Sequence, residues 1–193
     1  METLEAIRAR RSVRAFTPEV VPDEHLEVIL NAARLAPTAG NQQPWRFLVV
    51  RDTCAAASLG AKLEAKLYRS RSTTESHERT EDQRKAAASQ LRRVISAPVL
   101  IFLWVDTTTY PDLVLLDAAL AAENLMLAAR AMGYGTSFQT TYFDEQLVRE
   151  HFGVPERYRL VCTIPLGRPL AWPETPPKRP LEELVWYETY SGV

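Results

Sequence analysis

Three stretches of the chain gather residue types that could do chemistry. The first is Arg10-Arg11-Ser12-Val13-Arg14, with three guanidiniums and a hydroxyl within five residues. In an extended backbone Arg10, Ser12 and Arg14 project to one side and Arg11 to the other. A guanidinium can hold two oxygens of one anion in its fork of donors, so phosphate is a natural ligand. A basic surface patch or a nucleic-acid arm would carry the same residues. The second stretch is the loop Ala36-Pro37-Thr38-Ala39-Gly40-Asn41-Gln42-Gln43-Pro44-Trp45. Its prolines stiffen it, and its hydroxyl, amides and backbone groups suit the edge of a polar heteroaromatic ring, although a plain turn before a buried Trp would look alike. The third is Pro177-Lys178-Arg179-Pro180, a short basic pair between prolines.

The elements that must position these groups can be read from periodicity. Residues 2–9 form a short helix, and residues 23–35 a second one with Leu26, Ile29, Leu30 and Ala33 on one stripe. Strands are expected at 45–51, 98–105, 137–142 and 159–167, and helices at 55–68 and 144–152. The run at 98–105 is continuously apolar, as in a strand buried on both faces. Segment 112–132 is strongly helical and apolar nearly all round, so it must be covered on every side by a core or by another subunit; Gly133 follows as a C-cap. Residues 69–93 are the most charged stretch, fitting a solvated helix or a lid over a pocket. The proline-rich tail, 169–193, reads as an extended arm that packs on something else.

Composition narrows the classes. The chain has 193 residues, 46% apolar and 24% charged, with net charge −1, which suits one globular domain and gives no bulk attraction to nucleic acid. The apolar runs fall far short of a bilayer span, and no secretory leader is visible, so a cytoplasmic address without membrane attachment is expected. Cys54 and Cys162 lack any metal-ligand spacing, and His25, His77 and His151 lie apart, so no metal site is expected. Neither GxGxxG nor a Walker A motif occurs, which argues against a dinucleotide fold or a P-loop. Helices interleaved with strands point to a mixed α+β domain.

RARRSVRAF, then APTAGNQQPWRF, then GRP…PPKRPLEELV, in this order, resemble the nitroreductase family of FMN-dependent flavoproteins. DAALAAENLMLAARAMGYGTSF resembles that family's central dimer helix and the glycine turn after it. The resemblance runs from about Ala6 to Trp186. It implies a three-layer α-β-α fold with a central, mostly antiparallel sheet and a long buried helix at a dimer interface. It also implies an oxidoreductase that passes electrons from NADH or NADPH, by a ping-pong mechanism, to nitroaromatic, quinone or related acceptors. A specialised relative (reductive dehalogenase, enone reductase or flavin-degrading enzyme) or a flavin-binding protein with little turnover are the alternatives.

Residue by residue, the resemblance implies that Arg10 and Ser12 hold the FMN phosphate and ribityl chain. Arg14 would lie near flavin N1 and the C2 carbonyl, and Arg11 would flank the same loop. Pro37, Thr38, Ala39 and Asn41 match the loop that reaches the flavin from the partner of a homodimer with shared sites. Lys178 or Arg179, with Arg179 preferred, would return to the phosphate, and Gln90 would face the pyrimidine edge. Ala39 stands where the family often has Ser. Thr141-Tyr142-Phe143 replaces a Gly-Gly-Phe-like turn, so Thr141 or Tyr142 would supply the backbone N–H aimed at flavin N5. The chemistry would belong to the cofactor, with Arg14 stabilising negative charge and no protein nucleophile.

Overall fold

A computed structural model describes residues 1–69, 80–110 and 112–190. Its centre is an antiparallel sheet built from β1 (Trp45–Val50), β2 (Val99–Asp106), β3 (Gly135–Thr136) and β4 (Tyr158–Gly167), in the order β1-β2-β4-β3. Strand β2 is paired along both edges, and every residue from Val99 to Val105 is buried. Its side chains alternate between two cores. Val99, Ile101, Leu103 and Val105 pack with helices α2 (Asp23–Arg34) and α5 (Val114–Ala131). Leu100, Phe102 and Trp104 face α3 (Thr53–Arg69), α4 (Glu81–Ile95) and α6 (Glu145–Phe152) on the other side. This is the α-β-α sandwich expected from the sequence. The short helix α1 (Thr3–Ala9) lies against α5.

Local chemistry sets the helix ends. Thr80 and Gln83 form a reciprocal capping box at the start of α4. Asp144 accepts from the Leu147 amide at 3.0 Å to start α6, and Gly153, at φ 69°, ends it. Burial opposes ionisation of Asp144, but its hydrogen bonds to Lys66 and to backbone amides prevail and hold its pKa below the ordinary value.

The sheet differs from expectation at one place. Instead of a strand at 137–142, pairing covers only Gly135–Thr136, and Gln139 makes an isolated bridge to Thr163. The bridge keeps the register of β3 with β4, and in that register Ser137 lies opposite Pro165, which has no N–H to give, so the ladder is interrupted. The charged stretch 69–93 resolves in part: residues 80–93 start and fill most of α4, while 70–79, including His77, lie outside the described residues.

Among the described residues, helix α5 leaves part of its N-terminal half uncovered. Ala118, Ala121, Ala122 and Leu125 are fully buried against the sheet and α2, whereas Leu113, Leu116 and Leu120 are 39%, 63% and 47% exposed. Those three leucines follow a three-then-four spacing, which makes an open apolar seam.

Candidate active site

The basic segment owes its position to Val13. Val13 is 1% exposed in the core shared with α3, α4 and α6, and its N–H donates to the Thr136 carbonyl at 2.9 Å. Ser12 bridges Thr136 in parallel, so the segment is fixed against β3. With Val13 directed inward, its neighbours turn outward. Arg10, Arg11, Ser12 and Arg14 line a cleft of about 950 Å³, whose far wall is Pro173, Glu174, Thr175, Pro176 and Lys178 from the tail. This volume lies within the range of small-molecule sites.

Arg11 is not directed away from its neighbours. Its Nη1 donates to the Arg8 and Arg10 carbonyls at 2.7 and 2.5 Å, and its Nη2 to the Thr175 hydroxyl. The long side chain folds back to the C-terminal end of α1 and ties both walls together. Arg10 is an extended residue at that helix end and meets Glu123 of α5 at 3.5 Å. Arg14 is exposed, and among the described residues it makes one hydrogen bond, 3.3 Å to the Ser12 carbonyl. With Arg8, the lining holds five cations (Arg8, Arg10, Arg11, Arg14, Lys178) and two carboxylates (Glu123, Glu174). Most of the donors on Arg10 and Arg14 remain available to an anion.

The other expected residues lie outside this lining. In the tail it is Lys178 that lines the cleft, whereas Arg179 is exposed nearby. Gln90 is half-buried on α4, Thr141 is exposed, and Tyr142 packs into the α3/α4/α6 core. Pro37, Thr38, Ala39 and Asn41 sit near the N-terminal half of α5. There the Ala39 amide donates to Oδ1 of Asp117 at 3.2 Å. Gly40, Asn41 and Gln43 all have positive φ (56°, 55° and 49°), a costly arrangement for Asn and Gln. Hydrogen bonds from Gln43 to the Thr38 hydroxyl and to Asn41 hold the loop.

Sequence reasoning did not single out Asp117, Arg8, Glu123, Arg130 or Trp172. Asp117 carried a signal: it is the one charged residue in the apolar run 113–122, and it is buried. Elsewhere, burial raises the pKa of the Cys162 thiol, which suits packing rather than reaction. Among the described residues no cluster of three or more His, Cys, Asp or Glu side chains is placed to hold a metal, and no helix is long and apolar enough to cross a membrane.

The sequence model of the nitroreductase family matches residues 7–168. The chain belongs to the nitroreductase family. A relative from Archaeoglobus fulgidus, provisionally named an NADH dehydrogenase/NAD(P)H nitroreductase, is 35% identical over 87% of this chain and 86% of its own. A nitroreductase from Desulfitobacterium hafniense, solved with bound FMN, superposes with a TM-score of 0.75 at 26% identity, covering 98% of this chain and all of the other. An iodotyrosine deiodinase, solved with FMN and 3-iodo-L-tyrosine, gives a TM-score of 0.80 at 26% identity, with 98% and 100% coverage. The α-β-α sandwich is therefore that of nitroreductase-fold proteins.

Proposed function

We propose that this nitroreductase-family chain is an FMN-dependent oxidoreductase that takes electrons from NADH or NADPH and delivers them to a nitroaromatic, quinone or related oxidised small molecule. The observation that carries this reading is the cleft with five cations and two carboxylates, formed by the segment that resembles the family's cofactor loop. The residues present fit FMN: Arg10, Ser12 and Lys178 would hold the phosphate, and Arg14 would meet the pyrimidine edge. When bound, FMN supplies the hydride chemistry. Arg14 would place a fixed positive charge where negative charge accumulates on the ligand. The backbone N–H of Thr141 or Tyr142 would orient the ring.

The same reading makes the protein a homodimer. The open Leu113–Leu116–Leu120 seam needs a cover, and the Asp117-tethered loop lies on the same helix, ready to serve a second copy. Pro37, Thr38, Ala39 and Asn41 would then complete the cleft of the partner, and the tail would pack across the interface. Donor and acceptor use one space in turn, so initial rates over a two-substrate matrix should give parallel double-reciprocal lines; intersecting lines would count against it. Arg14→Ala should weaken FMN and slow its reduction by NADH by about 100-fold. Normal flavin content and rate in that variant would remove the role of Arg14.

A second reading is favoured by the backbone match of 0.80 to the deiodinase, above the 0.75 of the nitroreductase. Here the acceptor is a halogenated phenol, which is reduced with loss of halide. Halide release from 2-iodophenol, measured beside reduction of nitrobenzoate, separates the two.

A further inference from the structure

The two walls of the cleft are far apart in sequence: the Arg10–Arg14 wall is fixed against β3, whereas the tail wall leaves the body of the fold just before its working residues. One wall takes in the last turn of α1 and the segment after Ala9. The other starts in the tail after Trp172. Arg130, in the last turn of α5, meets both. Its Nε donates to the Ala9 carbonyl at 3.0 Å, one residue before Arg10. Its guanidinium carbon lies 3.8 Å from the centre of the Trp172 ring, one residue before the Pro173–Lys178 wall. The planar cation is thus held at its edge by a carbonyl and covered on its face by an indole.

We propose that Arg130 and Trp172 are positioning residues that clasp the two walls of the cleft, so that Lys178 faces Arg10, Ser12 and Arg14 before a ligand arrives. For the identity of that ligand the proposal rests on the FMN reading above. The geometry accounts for the chemistry of both residues. Arginine presents a flat cationic face and an edge donor together, whereas a lysine ammonium would lose either the stack or the bond. Trp172 is 38% exposed although it is a large apolar group, and its ring lies against the Arg130 cation. The tail between Trp172 and Leu181 has no regular structure, and among the described residues the Arg11–Thr175 bond is the hydrogen bond that joins it to the Arg10–Arg14 wall.

The test compares Trp172→Ala, Trp172→Phe, Arg130→Lys and the double variant Arg130→Lys/Trp172→Ala in the full chain. Two readouts are needed: the FMN dissociation constant, and the proton resonance of the Arg130 Nε–H in the flavin-free protein. The clasp predicts that Trp172→Ala and Arg130→Lys each weaken FMN by about tenfold. Trp172→Phe, which keeps a π face, should stay within about threefold of the parent. The double variant should be no weaker than the poorer single one, because both remove the same contact. In the flavin-free protein the Nε–H proton, identified by its loss in Arg130→Lys, should be shifted upfield by the indole and return downfield in Trp172→Ala. A resonance that does not move overturns the clasp whatever the cleft binds. A shifted resonance with FMN affinity unchanged in Trp172→Ala overturns its role in positioning but leaves FMN binding standing. Failure of the unaltered chain to bind FMN, with the resonance shifted, refutes the FMN reading and the role assigned to the clasp in flavin binding.

Discussion

Replacement of Gly135 by Ala should damage the site through the fold. A Cβ on Gly135 would lie 2.7 Å from Val13 Cβ, 2.7 Å from Cγ2 and 2.8 Å from Cγ1. Comfortable carbon contacts lie near 3.5–4.0 Å, so each of these is too close by about 0.7 Å or more. Val13 cannot yield easily: its β-branched side chain is stiff, it is 1% exposed, and its N–H is bonded to Thr136, the residue after the glycine. Overpacking of this kind costs about 2 kcal/mol. For a chain of this length, that lowers Tm by about 4–8 °C. The displaced strand carries Ser12 and flanks Arg14, so FMN affinity should fall with stability. Thermal melting and fluorescence titration of FMN measure the two effects. Val13→Gly placed in the Gly135→Ala background removes all three close contacts and should restore FMN affinity, although not full stability. A Gly135→Ala protein that melts within about 1 °C of the parent and binds FMN equally well would refute the reasoning.

Other perturbations have directions that the structure sets. Asp117→Ala deletes the tether to the Ala39 amide and should weaken FMN by about tenfold while Asp117→Asn, which keeps an acceptor, largely preserves it; equal losses in both would show that the hydrogen bond is not what matters. Leu116→Glu combined with Leu120→Glu charges the open seam of α5 and should convert the proposed homodimer to a monomer by light scattering, so an unchanged dimer would place the interface elsewhere. Asp144→Asn should cost about 1 kcal/mol near neutral pH, because it loses the 2.5 Å ion pair with Lys66. The folded pKa of Asp144 lies below its unfolded value, so this stability is present above the unfolded pKa of about 3.9 and is lost as pH falls through the folded one. Denaturant melts should therefore converge for parent and variant in acid, and a gap that stays constant would contradict the assignment.

Much of the scaffold is legible because its residues must satisfy strong local demands. The apolar run of β2 reflects burial on both faces, and the periodicity of α2 and the glycine after α5 mark real helix positions. The near cleft wall is equally legible, since Arg10, Arg11, Ser12 and Arg14 are contiguous. What escapes the sequence depends on geometry between distant segments. Nothing local distinguishes Lys178 from Arg179, and only the path of the tail places the lysine at the cleft. Arg130 and Trp172 read as an ordinary helix end and an ordinary aromatic until the fold stacks them. The expected strand at 137–142 is cut short because Pro165 of β4, opposite Ser137, lacks the N–H that would continue the ladder. The direction of Arg11 fails because a long side chain can fold back on the backbone regardless of strand alternation.

The most direct test of the cleft as a flavin site is a visible spectrum of the purified full chain, supplied with FMN and freed of excess, then treated with NADH and afterwards NADPH in the absence of oxygen. The account predicts a yellow protein with one FMN per chain, bleached by at least one of the two nucleotides. A protein that stays colourless after FMN is supplied would contradict it.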